Sequence, residues 1–180
     1  MNTDHDNAGK ILLLARHAKS AWGDTAVHDY DRPLSARGLE DAPRMAAWIR
    51  SRNFVPDLLL CSPARRTRET ATIYADTLGL PANTVIQEPV IYEASRTDLL
   101  KVLQRYIEQS QCCMLVGHNP GLDAVLEYLC PAALPLTDSG KLLTTAAVAA
   151  LQLRALPANA SAMLERSTAC LLVLQRPREL

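Results

Sequence analysis

The chain has 180 residues, 19 of them basic and 19 acidic, so its formal net charge at neutral pH is zero. This balance excludes the strongly basic surface field typical of nucleic-acid-binding domains, and no apolar run approaches the ~20 residues that a membrane span requires. Because residues 1–10 are polar and contain no apolar signal-peptide core, we expect a cytoplasmic protein with a disordered tail over 1–9 and a single domain over 10–180.

The first half of the chain predicts two strand–helix pairs. The stretches 10–15 and 57–61 are apolar after their first residue and do not alternate with polar residues, which is typical of strands buried on both faces of a sheet. A helix follows Ser35, whose side chain is a common N-cap, and a second helix covers 65–78 and stops at a glycine. Pro43 lies inside the pattern of the first helix, where it marks either a kink or a later start.

The second half begins with the same alternation of strands and helices. Residues 85–92 predict one or two short extended pieces, and a helix capped by Ser95 follows to about residue 109. A third buried strand covers 112–116. After it, Asn119 as N-cap and Pro120 as the first helical residue predict a helix that ends at about residue 129.

Two apolar runs close the chain, at 146–153 and 169–174, and both predict strands. Because no helix long enough for a crossover separates them, we expect one of the two to run antiparallel at or near an edge of the sheet. Strands that alternate with helices predict an α/β fold, here a three-layer α/β/α sandwich around a mostly parallel mixed sheet.

Three of the predicted strands end at residues suited to binding an anion. The first ends at Arg16 and His17, the second is followed by arginines that include Arg66, and the third ends at His118 beside a helix N-terminus. Ligands in open α/β sheets bind outside the carboxyl ends of the strands, and a helix N-terminus favours negative charge. Taken alone, the arginines could form a solvated helix face and the histidines could be structural.

A metal site is the other reading of two histidines at strand ends. No cluster of acids or cysteines completes a zinc site around them. The five cysteines are odd in number and contain no C-x-x-C pair, so they fit neither a disulfide framework nor a metal template. We therefore expect no metal and no cofactor.

Four motifs then occur in a fixed order along the chain. They are Arg16-His17-Ala18, Arg32-Pro33-Leu34-Ser35-x-x-Gly38, Ser62-Pro63-x-x-Arg66-x-x-x-Thr70 and Val116-Gly117-His118-Asn119-Pro120-Gly121. Together they resemble the histidine phosphatase superfamily, which includes the phosphoglycerate mutases, and within it the short SixA-type phosphohistidine phosphatases. The resemblance spans roughly residues 11–129 and implies one histidine-phosphatase domain over 10–180.

The resemblance also implies roles for individual residues. His17 matches the nucleophile that accepts the phosphoryl group, and Arg16 and Arg66 match the two arginines that hold the phosphoryl oxygens. His118 matches the second histidine of that pocket. Arg32 matches a further arginine that lines the SixA-type site and is expected to bind substrate.

Three other positions carry weaker expectations. We expect Asn119 to contribute to substrate binding, and Glu93 is our candidate for the proton donor, with an exposed loop glutamate as the equally weighted alternative. Ala18 departs from the superfamily pattern, which has glycine after the histidine. The change adds one methyl group at a place where backbone segments approach each other.

This residue set predicts phosphoryl transfer without a metal. Arginine grips phosphate with a planar fork, and neutral histidine is a competent nucleophile whose phosphorylated form divides the reaction into two easier steps. The leading hypothesis is a metal-independent phosphatase that works through a covalent phosphohistidine, on protein phosphohistidine. The alternatives are a small-molecule phosphomonoesterase and an inactive phosphate-binding relative, so the expected partner is a phosphorylated protein or a small phosphate ester.

Overall fold

A mixed sheet organises the computed structural model, which describes residues 9–22, 28–132, 134–154 and 164–180. Within these residues the sheet has six strands: β1 (Ile11–Arg16), β2 (Leu58–Cys61), β3 (Val85–Gln87), β4 (Cys112–Gly117), β5 (Val148–Leu153) and β6 (Ala169–Gln175). Their order is β3-β2-β4-β1-β5-β6. The first four strands are parallel to one another, whereas β5 pairs antiparallel with both β1 and β6.

Four α-helices in the described residues cover the two faces of this sheet: α1 (Ala36–Ser51), α2 (Arg65–Leu78), α3 (Arg96–Tyr106) and α4 (Gly121–Leu129). Along β1, Leu13 and Ala15 belong to the core under α1 and α2, and Leu12 and Leu14 belong to the core under α3 and α4. Because both faces are covered, the strand is apolar throughout rather than alternating. The predicted three-layer α/β/α fold is therefore confirmed, and β5 is the expected antiparallel strand near an edge.

The predicted start of the last helix was wrong. α4 begins at Gly121 rather than at Asn119 and Pro120, because the Asn119 side chain makes no capping hydrogen bond and instead donates to Asp123 and to a loop carbonyl. Of the one or two extended pieces expected in 85–92, one is present as β3, and Pro89–Ile91 forms a 3-10 turn.

The first turn of α1 shows where the helix that contains Pro43 begins. The helix already begins at Ala36, where the Ser35 side chain accepts a hydrogen bond from Gly38 N at 3.2 Å, so Pro43 does not mark a later start. Most of the expected tail, residues 1–8, lies outside the described residues.

The described residues also bear on membrane, metal and disulfide chemistry. None of the helices among them combines the length and hydropathy that crossing a bilayer needs. In the same residues, no three side chains of the His, Cys, Asp or Glu type are grouped so as to hold a metal ion. All five cysteines are unpaired thiols.

Gly38 ties α1 to the segment that follows β1. A Cβ atom at this position would lie 2.2 Å from the carbonyl oxygen of Lys19, which already accepts hydrogen bonds from the backbone and the hydroxyl of Ser35. We expect Gly38→Ala to lower the free energy of unfolding by about 1–3 kcal/mol, as is typical of overpacking. Urea denaturation measures this, with Glu40→Ala on the exposed side of α1 as the control. Equal stability of the two variants would contradict the expectation.

Candidate active site

The carboxyl ends of β1, β2 and β4 open into one cavity of about 650 Å³. All seven residues that the sequence placed in a site line it: Arg16, His17, Arg32, Arg66, Glu93, His118 and Asn119. The motifs are far apart in the chain, and the parallel pairing of these three strands brings them together at one edge of the sheet. The cavity therefore lies where ligands of α/β sheets usually bind.

The His17 ring is held in one tautomer by its own loop. Its Nδ1 lies 2.8 Å from the carbonyl oxygen of Ala18, which can only accept a hydrogen bond, so Nδ1 carries the proton and donates it. Nε2 then keeps the lone pair needed for nucleophilic attack. The Ala18 amide is fixed in turn by Thr70, whose Oγ1 accepts from it at 3.0 Å. The Ala18 methyl group is fully buried in the core under α1 and α2.

His118 faces His17 across the cavity, with 5.3 Å between the ring centroids. Its Nε2 lies 2.9 Å from Ser62 Oγ, and its Nδ1 lies 3.4 Å from a guanidinium nitrogen of Arg66. Arginine can only donate, so this arrangement suits a neutral ring with its proton on Nε2. Tyr92 packs edge-on against the same ring, at 5.6 Å between the centroids.

Burial keeps both histidines uncharged. Desolvation lowers the pKa of His17 to about 3; the Ala18 carbonyl opposes this, and His118, Arg66 and Arg16 add to it. Desolvation likewise lowers the pKa of His118 to about 4, with Arg66 and Arg16 adding to the shift and Asp29 opposing it. Both rings are therefore neutral at physiological pH, which leaves the His17 lone pair available.

Arg66 is a buried cation within hydrogen-bond reach of the second histidine. Its Nη1 donates to the Asp29 carbonyl oxygen at 2.6 Å, and its Nη2 donates to the Asp29 carboxylate at 3.0 Å. The neighbouring Arg65 instead lies half exposed on the surface of α2 and pairs with Glu69 at 2.7 Å. The helix thus turns one arginine into the cavity and the other outward.

Arg16 is positioned by a loop from the far end of the chain. Its Nη1 donates to the Leu143 carbonyl oxygen at 3.0 Å, and Asn119 Nδ2 donates to the same oxygen at 3.0 Å. Asn119 also donates to Asp123 at 2.7 Å. Burial lowers the pKa of Arg16, and the charge of Asp123 opposes that shift. Asn119 therefore supports Arg16 through the shared carbonyl, besides lining the cavity.

Arg32 lines the cavity while its guanidinium is bound by the protein. Its Nε donates to Ala21 O at 3.2 Å, Nη1 to Asp29 Oδ1 at 2.8 Å, and Nη2 to Ser20 Oγ. The guanidinium also lies 3.8 Å from the centroid of the Trp22 ring, which is 76% exposed. Through these contacts Arg32 connects residues 20–22 with the turn at Asp29, and its direct contact with substrate stays a prediction.

Glu93 also lines the cavity. It is exposed and has a φ of +50°, in the left-handed region that non-glycine residues seldom adopt. The next residue is held close to α4, because a Cβ atom on Gly121 would lie 2.3 Å from the carbonyl oxygen of Ala94. The position of Glu93 would allow it to contact the leaving group, and its role as proton donor stays a prediction.

Sequence reasoning missed three residues of this site. Ser62 was visible in its motif but had no assigned role, although it orients His118. Asp29 and Tyr92 had no signal, because both are ordinary residues of polar segments. The Tyr92 hydroxyl donates to Asp29 Oδ2 at 3.2 Å, which joins the two segments beside Arg66.

The low pKa values of the two histidines predict a specific pH response. Long-range ¹H–¹⁵N NMR spectra should show His17 neutral and protonated on Nδ1 down to about pH 5, with assignments from the His17→Ala and His118→Ala variants. Between pH 6.5 and about 4 the unfolded chain binds protons that the folded chain does not. Acid should therefore lower the free energy of unfolding, by up to about 1.4 kcal/mol per pH unit for each histidine. A His17 ring that is charged at pH 6, or protonated on Nε2, would contradict this.

The sequence of the chain is similar to a protein family and to several individual proteins. The model of the histidine phosphatase superfamily (branch 1) matches residues 12–94. An uncharacterized chloroplastic protein of Arabidopsis thaliana is 34% identical over 133 residues, which cover 69% of this chain and 61% of that protein, so the chain spans less than two thirds of this relative. An uncharacterized protein of Mycobacterium tuberculosis is 32% identical over 129 residues, covering 69% and 73% of the two chains.

Two further comparisons concern proteins described as SixA. The phosphohistidine phosphatase SixA of Escherichia coli is 26% identical over 144 residues, covering 79% of this chain and 84% of that protein. The crystal structure of a proposed phosphohistidine phosphatase SixA of Agrobacterium tumefaciens superposes with a TM-score of 0.72 at 27% identity, covering 94% and 99% of the two chains.

Proposed function

Since the chain belongs to the histidine phosphatase superfamily as a SixA-type member, we propose that it hydrolyses phosphoryl groups through a covalent phosphohistidine at His17, with protein phosphohistidine as its substrate. The observation that carries the proposal is the His17 tautomer. Nδ1 is committed to the Ala18 carbonyl, so the lone pair stays on Nε2 of a ring that lines a cationic cavity. A phosphorylated partner protein and a cytoplasmic location are part of this proposal.

The proposed reaction has two displacement steps. In the first, His17 Nε2 forms a bond to phosphorus while the bond between phosphorus and the leaving atom breaks, and the leaving group takes up a proton. In the second, water attacks the phosphorus of the phosphohistidine, which returns neutral His17 and orthophosphate. Arg16, Arg66 and His118 line the cavity where they can meet the equatorial phosphoryl oxygens, whose charge must be stabilised in both steps.

The leaving group favours phosphohistidine as the substrate. An imidazole is protonated easily as it leaves, whereas an alkoxide requires a general acid, which contributes roughly 10²–10⁴-fold. Glu93, the candidate for that acid, is exposed although it lines the cavity. Its lining position is also the observation that keeps a small-molecule phosphomonoesterase as the second candidate. Because the candidate nucleophile His17 and the arginines Arg16 and Arg66 all line the cavity, an inactive phosphate-binding relative is the least favoured alternative.

A substrate panel tests the proposal. We expect a protein chemically phosphorylated on histidine to be hydrolysed with a higher kcat/KM than p-nitrophenyl phosphate, with equal rates in the presence and absence of EDTA. Glu93→Gln should change the phosphohistidine rate by less than about tenfold, because the imidazole needs little help. Glu40→Gln, on the exposed side of α1, is the matched control.

Three other results of this substrate panel would contradict the proposal. Loss of all activity in EDTA would reject a metal-independent reaction. Preference for the ester, with a loss of about 10²-fold or more in Glu93→Gln, would identify a phosphomonoesterase with Glu93 as its acid. Tight phosphate binding with no turnover of either substrate would identify an inactive relative.

A further inference from the structure

The carboxylate of Asp29 pairs with two arginines that line the cavity, Arg66 and Arg32. Its Oδ1 accepts a hydrogen bond from Arg32 at 2.8 Å, and its Oδ2 accepts from Arg66 at 3.0 Å and from the Tyr92 hydroxyl at 3.2 Å. The Arg66 side chain is only 7% exposed, whereas that of Asp29 is 45% exposed and lines the same cavity. One surface-accessible anion thus bridges two cations of the proposed phosphoryl site.

A buried guanidinium needs an anionic partner. Removing the partner of a buried charge is costly, so Arg66 must be paired in the free protein as well as in a complex. A phosphoryl oxygen can accept the same charge-assisted hydrogen bond from Arg66 Nη2 that Asp29 Oδ2 accepts now. The carboxylate and the phosphoryl group repel each other, so binding of one anion beside Arg66 weakens the binding of the other.

The charge on Asp29 is maintained by its neighbours. Burial by itself would raise the pKa of Asp29, but the charge and hydrogen bond of Arg66, together with Tyr92 and Arg32, hold it below its ordinary value. The carboxylate is therefore an anion at neutral pH. It lies on a three-residue 3-10 turn, Asp29–Asp31, so its side chain is attached to a short surface element rather than to the core.

We propose that Asp29 is a built-in competitor of the phosphoryl group: its carboxylate pairs with Arg66 and Arg32 in the free protein and gives up Arg66 when a phosphoryl group binds. The competition weakens the binding of orthophosphate, the product, and so favours its release. Arg66 keeps an anionic partner throughout the cycle. This inference rests on the proposed function, because it takes the cavity to be a phosphoryl site.

The test compares two aspartates of the same turn. Asp29→Asn removes the charge at constant shape, and we expect it to tighten the dissociation constant of inorganic phosphate by about tenfold or more in calorimetric titrations at pH 7.5 and low salt. Asp31→Asn removes the same charge from an exposed position of the turn and should change that constant by less than about twofold. Tyr92→Phe removes one of the donors that hold Asp29 and should tighten phosphate binding a few-fold, with no further gain in the double variant.

Unchanged or weaker phosphate binding in Asp29→Asn would overturn the inference and make Asp29 a residue that merely orients Arg66. If that variant does not fold, Tyr92→Phe decides, and an unchanged constant there overturns the inference. Absence of phosphate binding in both the unaltered protein and Asp29→Asn overturns it together with the phosphoryl site. Tighter binding in Asp29→Asn without hydrolysis in the unaltered protein leaves the inference standing and rejects the proposed phosphatase.

Discussion

His17→Ala is expected to lower kcat on the phosphohistidine substrate by about 10⁴-fold or more, the size of loss seen when a covalent nucleophile is removed. His17 is the ring whose Nδ1 is held by a carbonyl and whose pKa is lowered to about 3, so its Nε2 keeps a free lone pair, whereas the Nδ1 of the other neutral ring, His118, lies 3.4 Å from Arg66. Steady-state kinetics with the purified variant measures the effect.

Phosphate binding separates loss of chemistry from loss of structure in this variant. Arg16 and Arg66 are anchored by Leu143 and Asp29 rather than by His17, so His17→Ala should still bind inorganic phosphate. Retained binding with lost turnover assigns the nucleophilic role to His17. Turnover within tenfold of the unaltered protein would show that another group attacks phosphorus.

Arg66→Lys is expected to lower kcat/KM by about 10²–10³-fold, as the loss of a preorganised charge-stabilising donor typically does. Lysine keeps the charge but loses the planar fork, which contacts Asp29 in the free protein and is proposed to hold phosphoryl oxygens during the reaction. Arg65→Lys provides a matched control, because it makes the same change one residue earlier on α2, at a half-exposed side chain paired with Glu69.

The ratio of the kcat/KM losses in the Arg66→Lys and Arg65→Lys variants is the informative quantity. We expect Arg65→Lys to retain kcat/KM within about twofold, since exposed ion pairs contribute little. Equal losses in the two variants would indicate a general electrostatic effect of α2. If both variants keep the kcat/KM of the unaltered protein, Arg66 does not bind the phosphoryl group.

Local signals explain which parts of the fold could be predicted. β1 and β2 are short apolar runs bounded by polar residues, and α2 has helical spacing and a glycine at its end, Gly79, with a φ of +71°. These features depend on neighbours in the sequence, so they can be found there. The start of α4 could not be, because Asn119 bonds to a carbonyl 24 residues away instead of capping its own helix.

The same distinction applies to the candidate site. Three of the four motifs follow strand ends, and parallel pairing brings strand ends together, so the shared location of His17, Arg66 and His118 could be predicted from the sequence. Asp29 was not, because its partner Arg66 is 37 residues away and nothing nearby distinguishes it from Asp31. The charge state of His17 was also open, since arginines lower its pKa and a bound phosphate raises it. The structure adds burial, which is the largest influence.

Trapping the phosphorylated enzyme tests the covalent mechanism most directly. The protein is mixed with ³²P-labelled phosphohistidine substrate for milliseconds, quenched in alkali, which preserves phosphohistidine, and digested for mass spectrometry. We predict one labelled peptide with the phosphoryl group on His17, which forms before orthophosphate appears and is absent in His17→Ala. Hydrolysis without a labelled enzyme, or with the label on another residue, would contradict this mechanism.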